Sequence, residues 1–171
     1  SYSAINYYIY RKNMKKAILI FTLVLVSNLT YSQCNCETIK REDRTNVVQC
    51  NSLPVASDNN TQIGFAIASN GEANFVTVTI RFSGKAQNIT GDLTLRLNDN
   101  NLLTLSLINN GLAYIGNNEV AQGIFMLNSS HKNKVSNSSI KTISLKLSDN
   151  LIRTYKGKMN AGVLMQQVNC L

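Results

Sequence analysis

Few residues in this chain have the types and spacing that catalysis or metal binding usually needs. The only histidine, His131, lies between Ser130 and Lys132 in a polar stretch. A single histidine excludes a metal site built from several histidines. We expect this one to be a solvated loop residue, because nothing near it in the sequence is expected to orient its ring. No phosphate-binding glycine loop and no G-x-S-x-G motif is present. We therefore single out no catalytic, cofactor-binding or metal-binding residue.

The nine acidic residues do not form an obvious pair of the kind that glycosidases use. Most of them lie in or beside turn signals, where a short carboxylate accepts hydrogen bonds from backbone donors. Asp99 stands among amides in NDNN, and a single acid there falls short of the charge that a dedicated Ca²⁺ site needs. The six acids at turn signals are Asp58, Glu72, Asp92, Asp99, Glu119 and Asp149.

Basic residues are concentrated in the last third of the chain. Residues 33–127 hold six basic and eight acidic side chains, whereas residues 128–171 hold seven basic side chains and one acidic one. One interpretation is contact with a polyanion such as an acidic polysaccharide, lipid head groups or nucleic acid. The other is that lysines on edge strands discourage aggregation, which requires no partner. The candidate contact residues are Lys132, Lys134, Lys141, Lys146, Arg153, Lys156 and Lys158.

Residues 14–32 have the layout of a cleaved signal peptide. A short basic start precedes the ten apolar residues Ala17–Val26, and small residues stand before a cut between Ser32 and Gln33. The apolar stretch is about half the length that a transmembrane helix needs. We therefore expect an upstream extension at 1–13, a single domain at 33–171, and a secreted or periplasmic protein with no membrane span after cleavage.

The four cysteines all follow this predicted cut. An even number of cysteines in an exported chain predicts two disulfides, and the C-x-C spacing does not fit the usual zinc ligand pattern. A bond between Cys34 and Cys36 would close a strained ring. We therefore favour the two pairings that join these residues to both Cys50 and Cys170.

Alternation of apolar and polar residues dominates the chain between 62 and 147. Ile63, Phe65 and Ile67 share one face of a predicted strand, and Asn70-Gly71 follows as a hairpin turn. Strands recur about every ten residues without helical patterns between them, which favours an all-β antiparallel sandwich, with a small barrel as the alternative. The further strands are predicted at 76–82, 93–97, 103–107, 112–115, 120–127, 139–147 and 151–155.

Two segments depart from this pattern. We predict that the polar stretch 128–139 is an exposed, mobile loop. Near the end of the chain, Leu164, Val168 and Leu171 are spaced four and three apart, which favours a short helix with Asn160 as its N-cap.

Aromatic residues give little support for carbohydrate binding by stacking. The expected mature chain has no Trp, and its four Phe residues lie within strand patterns that need them for the core. Tyr114 and Tyr155 are the only platforms left.

Four stretches carry a resemblance to a known group of proteins: TIKREDRTNVVQCNSLPVASDN, QIGFAIASNG, AYIGNNEVAQGIF and QQVNCL. They resemble short exported proteins of the Bacteroidota that have Cys near both mature ends. The resemblance implies a bacterial exported protein, and it assigns no functional residue.

Together these features favour a secreted, non-catalytic binding or interaction module of the bacterial envelope or exterior. The sequence does not identify its ligand, and an acidic polymer bound through the basic last third of the chain is one candidate. The alternatives are a small secreted enzyme that uses an unidentified carboxylate or hydroxyl, and a structural component of the envelope.

Overall fold

A computed structural model describes residues 34–42 and 45–171, and within it Asn35–Leu171 form one unit. The predicted upstream extension and signal peptide lie outside the described residues. Eleven strands and two short helices make up the described part.

The strands form two antiparallel sheets. The larger sheet has the order β1-β2-β4-β5-β9-β8, and β3 pairs with β4 beside this path. Its strands are β1 (Cys36–Lys40), β2 (Asn46–Cys50), β3 (Leu53–Ser57), β4 (Thr61–Ser69), β5 (Asn74–Phe82), β8 (Leu107–Ile115) and β9 (Asn118–Leu127). The smaller sheet has the order β11-β10-β6-β7. Its strands are β6 (Leu93–Leu97), β7 (Leu102–Leu105), β10 (Ile140–Lys146) and β11 (Ile152–Lys156).

Both sheets contribute to one core, because the apolar residues of each alternating strand face the opposite sheet. Ile63, Phe65 and Ile67 of the larger sheet and Leu93 and Leu95 of the smaller one are fully buried in the same cluster. The predicted antiparallel sandwich is confirmed. The alternative of a small barrel is wrong, because the two sheets do not close on each other.

The predicted hairpin between β4 and β5 is also confirmed. Gly71 has a φ of 87°, a conformation that glycine adopts without a steric penalty. The side chain of Asn70 accepts a hydrogen bond from the backbone N–H of Ala73 at 2.8 Å. The turn fixes the register of β4 against β5, so that the buried residues of both strands share one face.

The prediction of an exposed loop at 128–139 is wrong. Ser129–Val135 form helix α1, and the side chain of Asn128 caps it by accepting the backbone N–H of His131 at 2.8 Å. Val135 is fully buried and anchors the helix to the core. One apolar residue in a polar stretch is too little to produce a helical period, so the sequence pattern missed this helix.

The predicted C-terminal helix is present as α2 (Val163–Val168), and Leu164 and Val168 are buried in it. Its N-cap is Gly162 rather than Asn160. The side chain of Asn160 instead donates to the backbone oxygen of Pro54 at 3.0 Å.

Candidate functional site

A row of hydroxyl side chains crosses the outer surface of the smaller sheet. Thr154 lies opposite Ser144, Ser144 lies opposite Thr94, and Thr94 lies opposite Thr104. Residues paired in this way point to the same side of the sheet, and their neighbours along β6, β7 and β10 are buried core residues. The hydroxyl groups of Ser144 and Thr154 are 2.8 Å apart and hydrogen-bonded. We call these four residues the hydroxyl row.

Three cationic side chains flank the hydroxyl row. Lys156 and Arg96 both lie opposite Thr142 of β10, one on each side, so their backbones are about 10 Å apart. Lys156, Thr142 and Arg96 lie on one side of the hydroxyl row, and Lys146 lies on the other. Lys146 is four residues from Thr142 on β10, or about 14 Å along the strand. We call Arg96, Lys146, Lys156 and the hydroxyl row the cationic face.

Negative charge is absent from the outward strand positions of this surface. Within the four described strands of the smaller sheet, the outward positions hold no carboxylate. Two of them are apolar and exposed, Leu102 and Ile152. A polyanion lying across these strands would therefore meet cations and hydroxyl donors with no repelling group on the strands themselves.

The structure brings together only part of the predicted basic set. Lys146 and Lys156 belong to the cationic face, and Lys141 lies beside it at an irregularity of β10, with Nζ 3.5 Å from the side-chain oxygen of Asn100. Lys132 and Lys134 lie on helix α1 instead, and Lys158 follows β11 with its backbone N–H bonded to Val55.

Arg153 does not lie on the cationic face. It pairs with Leu145 across the sheet, on the side that faces the core. Its guanidinium forms an ion pair with Asp149 and donates to Gln87 Oε1 at 3.2 Å. The hydrogen bond from Arg153 holds the pKa of the Asp149 carboxyl below its usual value.

Arg96 is the residue of the face that the charge distribution along the chain missed. It lies in the first part of the sequence, residues 33–127, where acidic residues outnumber basic ones. Its alternation with Leu95 and Leu97 in LTLRL is the signal that places it outward.

All four cysteines are disulfide-bonded, and none is free. The bond between Cys36 and Cys50 joins β1 to β2, where the two residues lie opposite each other. This bond belongs to one of the two predicted pairings, and Cys34 and Cys170 are disulfide-bonded as well. The β1–β2 hairpin is therefore held covalently at its open end.

His131 differs from the solvated residue that the sequence predicted. It lies on helix α1, is partly buried, and its Nδ1 is buried without a hydrogen-bond partner among the described groups. Burial, and to a smaller extent the charge of Lys134, lowers the pKa of His131 from 6.5.

We expect an NMR titration of the His131 ring to give a midpoint below pH 6.5. The folded protein then binds fewer protons than the unfolded chain as the pH falls below that value, so the free energy of unfolding decreases there. Lys134→Gln should raise the midpoint, whereas Lys158→Gln, which removes a charge elsewhere, should not. A midpoint at or above 6.5 would contradict the burial of the ring.

The described residues contain no group of three or more His, Cys, Asp or Glu side chains placed to hold a metal ion. Within the same part of the chain, no helix is long and apolar enough to cross a membrane. Comparison of the chain with models of protein families, with curated proteins and with solved structures finds no match.

Proposed function

We propose that this protein is an exported, non-catalytic binding module that holds an acidic polymer on the cationic face. The observation that carries the proposal is the placement of Arg96, Lys146 and Lys156 around the hydroxyl row, on a surface whose outward strand positions hold no carboxylate. Cations attract the charges of the polymer, and the hydroxyl groups supply short hydrogen bonds to its oxygens.

The shape of the site suits a chain rather than a small anion. Four strands make a surface about 14 Å wide, and the backbones that carry the cations lie about 10 Å or more apart across it. A single small anion cannot contact all of them at once. A polymer with repeated carboxylate or sulfate groups can.

The alternative interpretation, that lysines guard sheet edges, accounts for only part of the arrangement. Lys156 lies on β11, which is an edge strand. Lys146 and Arg96 lie on β10 and β6, which are paired on both sides and have no edge to protect. Two of the three cations therefore need another reason.

Export is supported by the leader pattern at 14–32 and by the oxidation of the cysteines. Disulfides persist in secreted and periplasmic proteins and are rare in a reducing cytosol. The resemblance to exported Bacteroidota proteins agrees with this location.

The test compares two triple variants that lose the same charge. Arg96→Gln/Lys146→Gln/Lys156→Gln removes the cations of the face, and Lys132→Gln/Lys134→Gln/Lys158→Gln removes three cations outside it. The probes are immobilised heparin and polygalacturonate, with neutral dextran as the uncharged reference. The readouts are the dissociation constant and its dependence on salt.

We expect the unchanged protein to remain on heparin above about 0.3 M salt, where screening removes weak surface contacts. The face variant should bind about tenfold or more weakly, since three exposed charge contacts are lost. Its salt dependence should fall by about three ions, whereas the control should keep most of the affinity. Equal losses in both variants, or no retention of the unchanged protein at low salt, would refute the proposal.

A further inference from the structure

The core-facing columns of two strands change from apolar to polar at one end of the sandwich. In β4 the buried column of Ile67, Phe65 and Ile63 ends on Thr61. In β11 the positions on the core-facing side are Tyr155 and Arg153. Core-facing positions are normally apolar, so polar side chains there mark a place where the core meets a polar surface at the end of the sandwich.

These side chains line a cleft of about 440 Å³. Thr61 and Phe82 enter it from the larger sheet, and Tyr155 and Arg153 enter it from the smaller one. The volume lies within the range of small-ligand sites, about 300–1,000 Å³. The remaining lining residues are Asp58, Asn60, Gln87 and Thr154.

Tyr155 supplies an independent sign of a ligand. The residue is only 8% exposed, and its hydroxyl oxygen is buried without a hydrogen-bond partner among the described groups. Buried polar groups in native proteins are almost always hydrogen-bonded, so an unpartnered one that lines a cleft points to a ligand atom or water that completes it.

Burial raises the pKa of Tyr155, so its hydroxyl keeps the proton at neutral pH and can donate it. The nearby Thr61 side chain lowers the pKa of Tyr155 to a smaller extent, although its hydroxyl forms no hydrogen bond with the phenol.

Arg153 is held in place before any ligand binds. Asp149 accepts from both terminal nitrogens of its guanidinium, and Gln87 accepts from one of them. Such a fork fixes the plane of the guanidinium and the orientation of the Gln87 amide. The wall of the cleft is therefore preorganised.

The charges and groups of the lining limit the class of ligand. The lining contains one guanidinium, on Arg153, whose charge is paired with Asp149, and one carboxylate, on Asp58, so it offers no free positive charge to an anion. Hydroxyl, amide and carboxylate side chains line the cleft together with the ring of Phe82. A carboxylate that accepts from two neighbouring hydroxyl groups, beside an apolar ring, is an arrangement that suits a sugar.

We propose that this cleft binds one ring of a neutral sugar, with Asp58 accepting from adjacent sugar hydroxyl groups and Tyr155 donating to a sugar oxygen. The site does not depend on the binding of an acidic polymer at the cationic face. Thr154 belongs to both surfaces, because its hydroxyl group is part of the hydroxyl row while the residue lines the cleft. Stacking by exposed tyrosines is not required.

The experiment is a two-dimensional NMR titration of the isotope-labelled protein with glucose, galactose, mannose and N-acetylglucosamine. At least one sugar should shift the amide signals of residues 58–61, 87 and 153–155, with a dissociation constant of about 1 mM, as expected for one small polar ligand. Glycine and acetate serve as charged probes of similar or smaller size.

Tyr155→Phe and Tyr114→Phe are matched variants, because each removes one phenolic hydroxyl and only the first removes it from the cleft. Tyr114 is 73% exposed on β8. Tyr155→Phe should weaken sugar binding about fivefold or more without lowering the stability, since the hydroxyl that it deletes has no protein partner. Tyr114→Phe should change neither quantity.

Three results would overturn the proposal: no shift with any sugar, an equal effect of both tyrosine variants, or glycine or acetate causing the same shifts as the sugars. The variant with the three face cations replaced separates this site from the first one. It should still bind the sugar while binding heparin weakly.

Discussion

Gln167→Leu is expected to lower the free energy of unfolding by about 3 kcal/mol, because it leaves two backbone groups without their hydrogen bonds. Oε1 of Gln167 accepts from the backbone N–H of Ile67 at 2.9 Å, and its Nε2 donates to the backbone oxygen of Asn51 at 2.8 Å. Ile67 is fully buried on β4, so water cannot replace the lost acceptor. Gln167 thus joins helix α2 to the larger sheet.

The matched control is Gln166→Leu on the same helix. Gln166 is exposed, and an equal substitution there should change the stability by less than about 0.5 kcal/mol. Urea denaturation followed by circular dichroism measures both variants. If the two variants unfold at the same urea concentration, the buried amide does not stabilise this contact.

Phe125→Ala should lower the free energy of unfolding by about 4 kcal/mol, through lost burial and the cavity that remains. Phe125 is fully buried on β9. Its ring and the side chain of Ile89 occupy the space over Gly123, where an added Cβ would lie 2.9 Å from the ring and 3.0 Å from Ile89. The glycine is needed on this core-facing strand because the ring lies over it.

Thermal or urea unfolding measures Phe125→Ala, with Met126→Ala as the control, since Met126 is 40% exposed on the opposite face of β9.

Gly123→Ala should also destabilise the protein by about 1–3 kcal/mol through overpacking. That cost should shrink in a Phe125→Leu background, because the smaller side chain leaves room for the new methyl group. If the effects of the Gly123 and Phe125 substitutions on the free energy of unfolding are additive, the ring of Phe125 does not pack against Gly123.

Helix α1 and strand β11 are two elements whose conformation or buried side the local hydropathy pattern does not predict. In β11 the apolar Ile152 is 71% exposed while Tyr155 is 8% exposed, so hydropathy alone does not reveal which side faces the core. In α1 a polar sequence is held by one cap and one buried valine. In both elements the packing of the rest of the chain determines the conformation and the buried side, because the local hydropathy pattern is too weak to determine them.

The sequence by itself determined the antiparallel β-rich fold, the core faces of β4, β5 and β6, the turn at Asn70-Gly71 and the presence of a C-terminal helix. These features follow from alternation, turn chemistry and helical spacing within ten residues or so, and such local preferences can be identified from the sequence alone. Only the tertiary structure decided which side chains meet. The hydroxyl row joins residues from position 94 to position 154 through the register of four strands, and the cleft forms where two separate sheets end. Local sequence patterns do not reveal the register of these strands, because that register is set by the packing of all strands around one core.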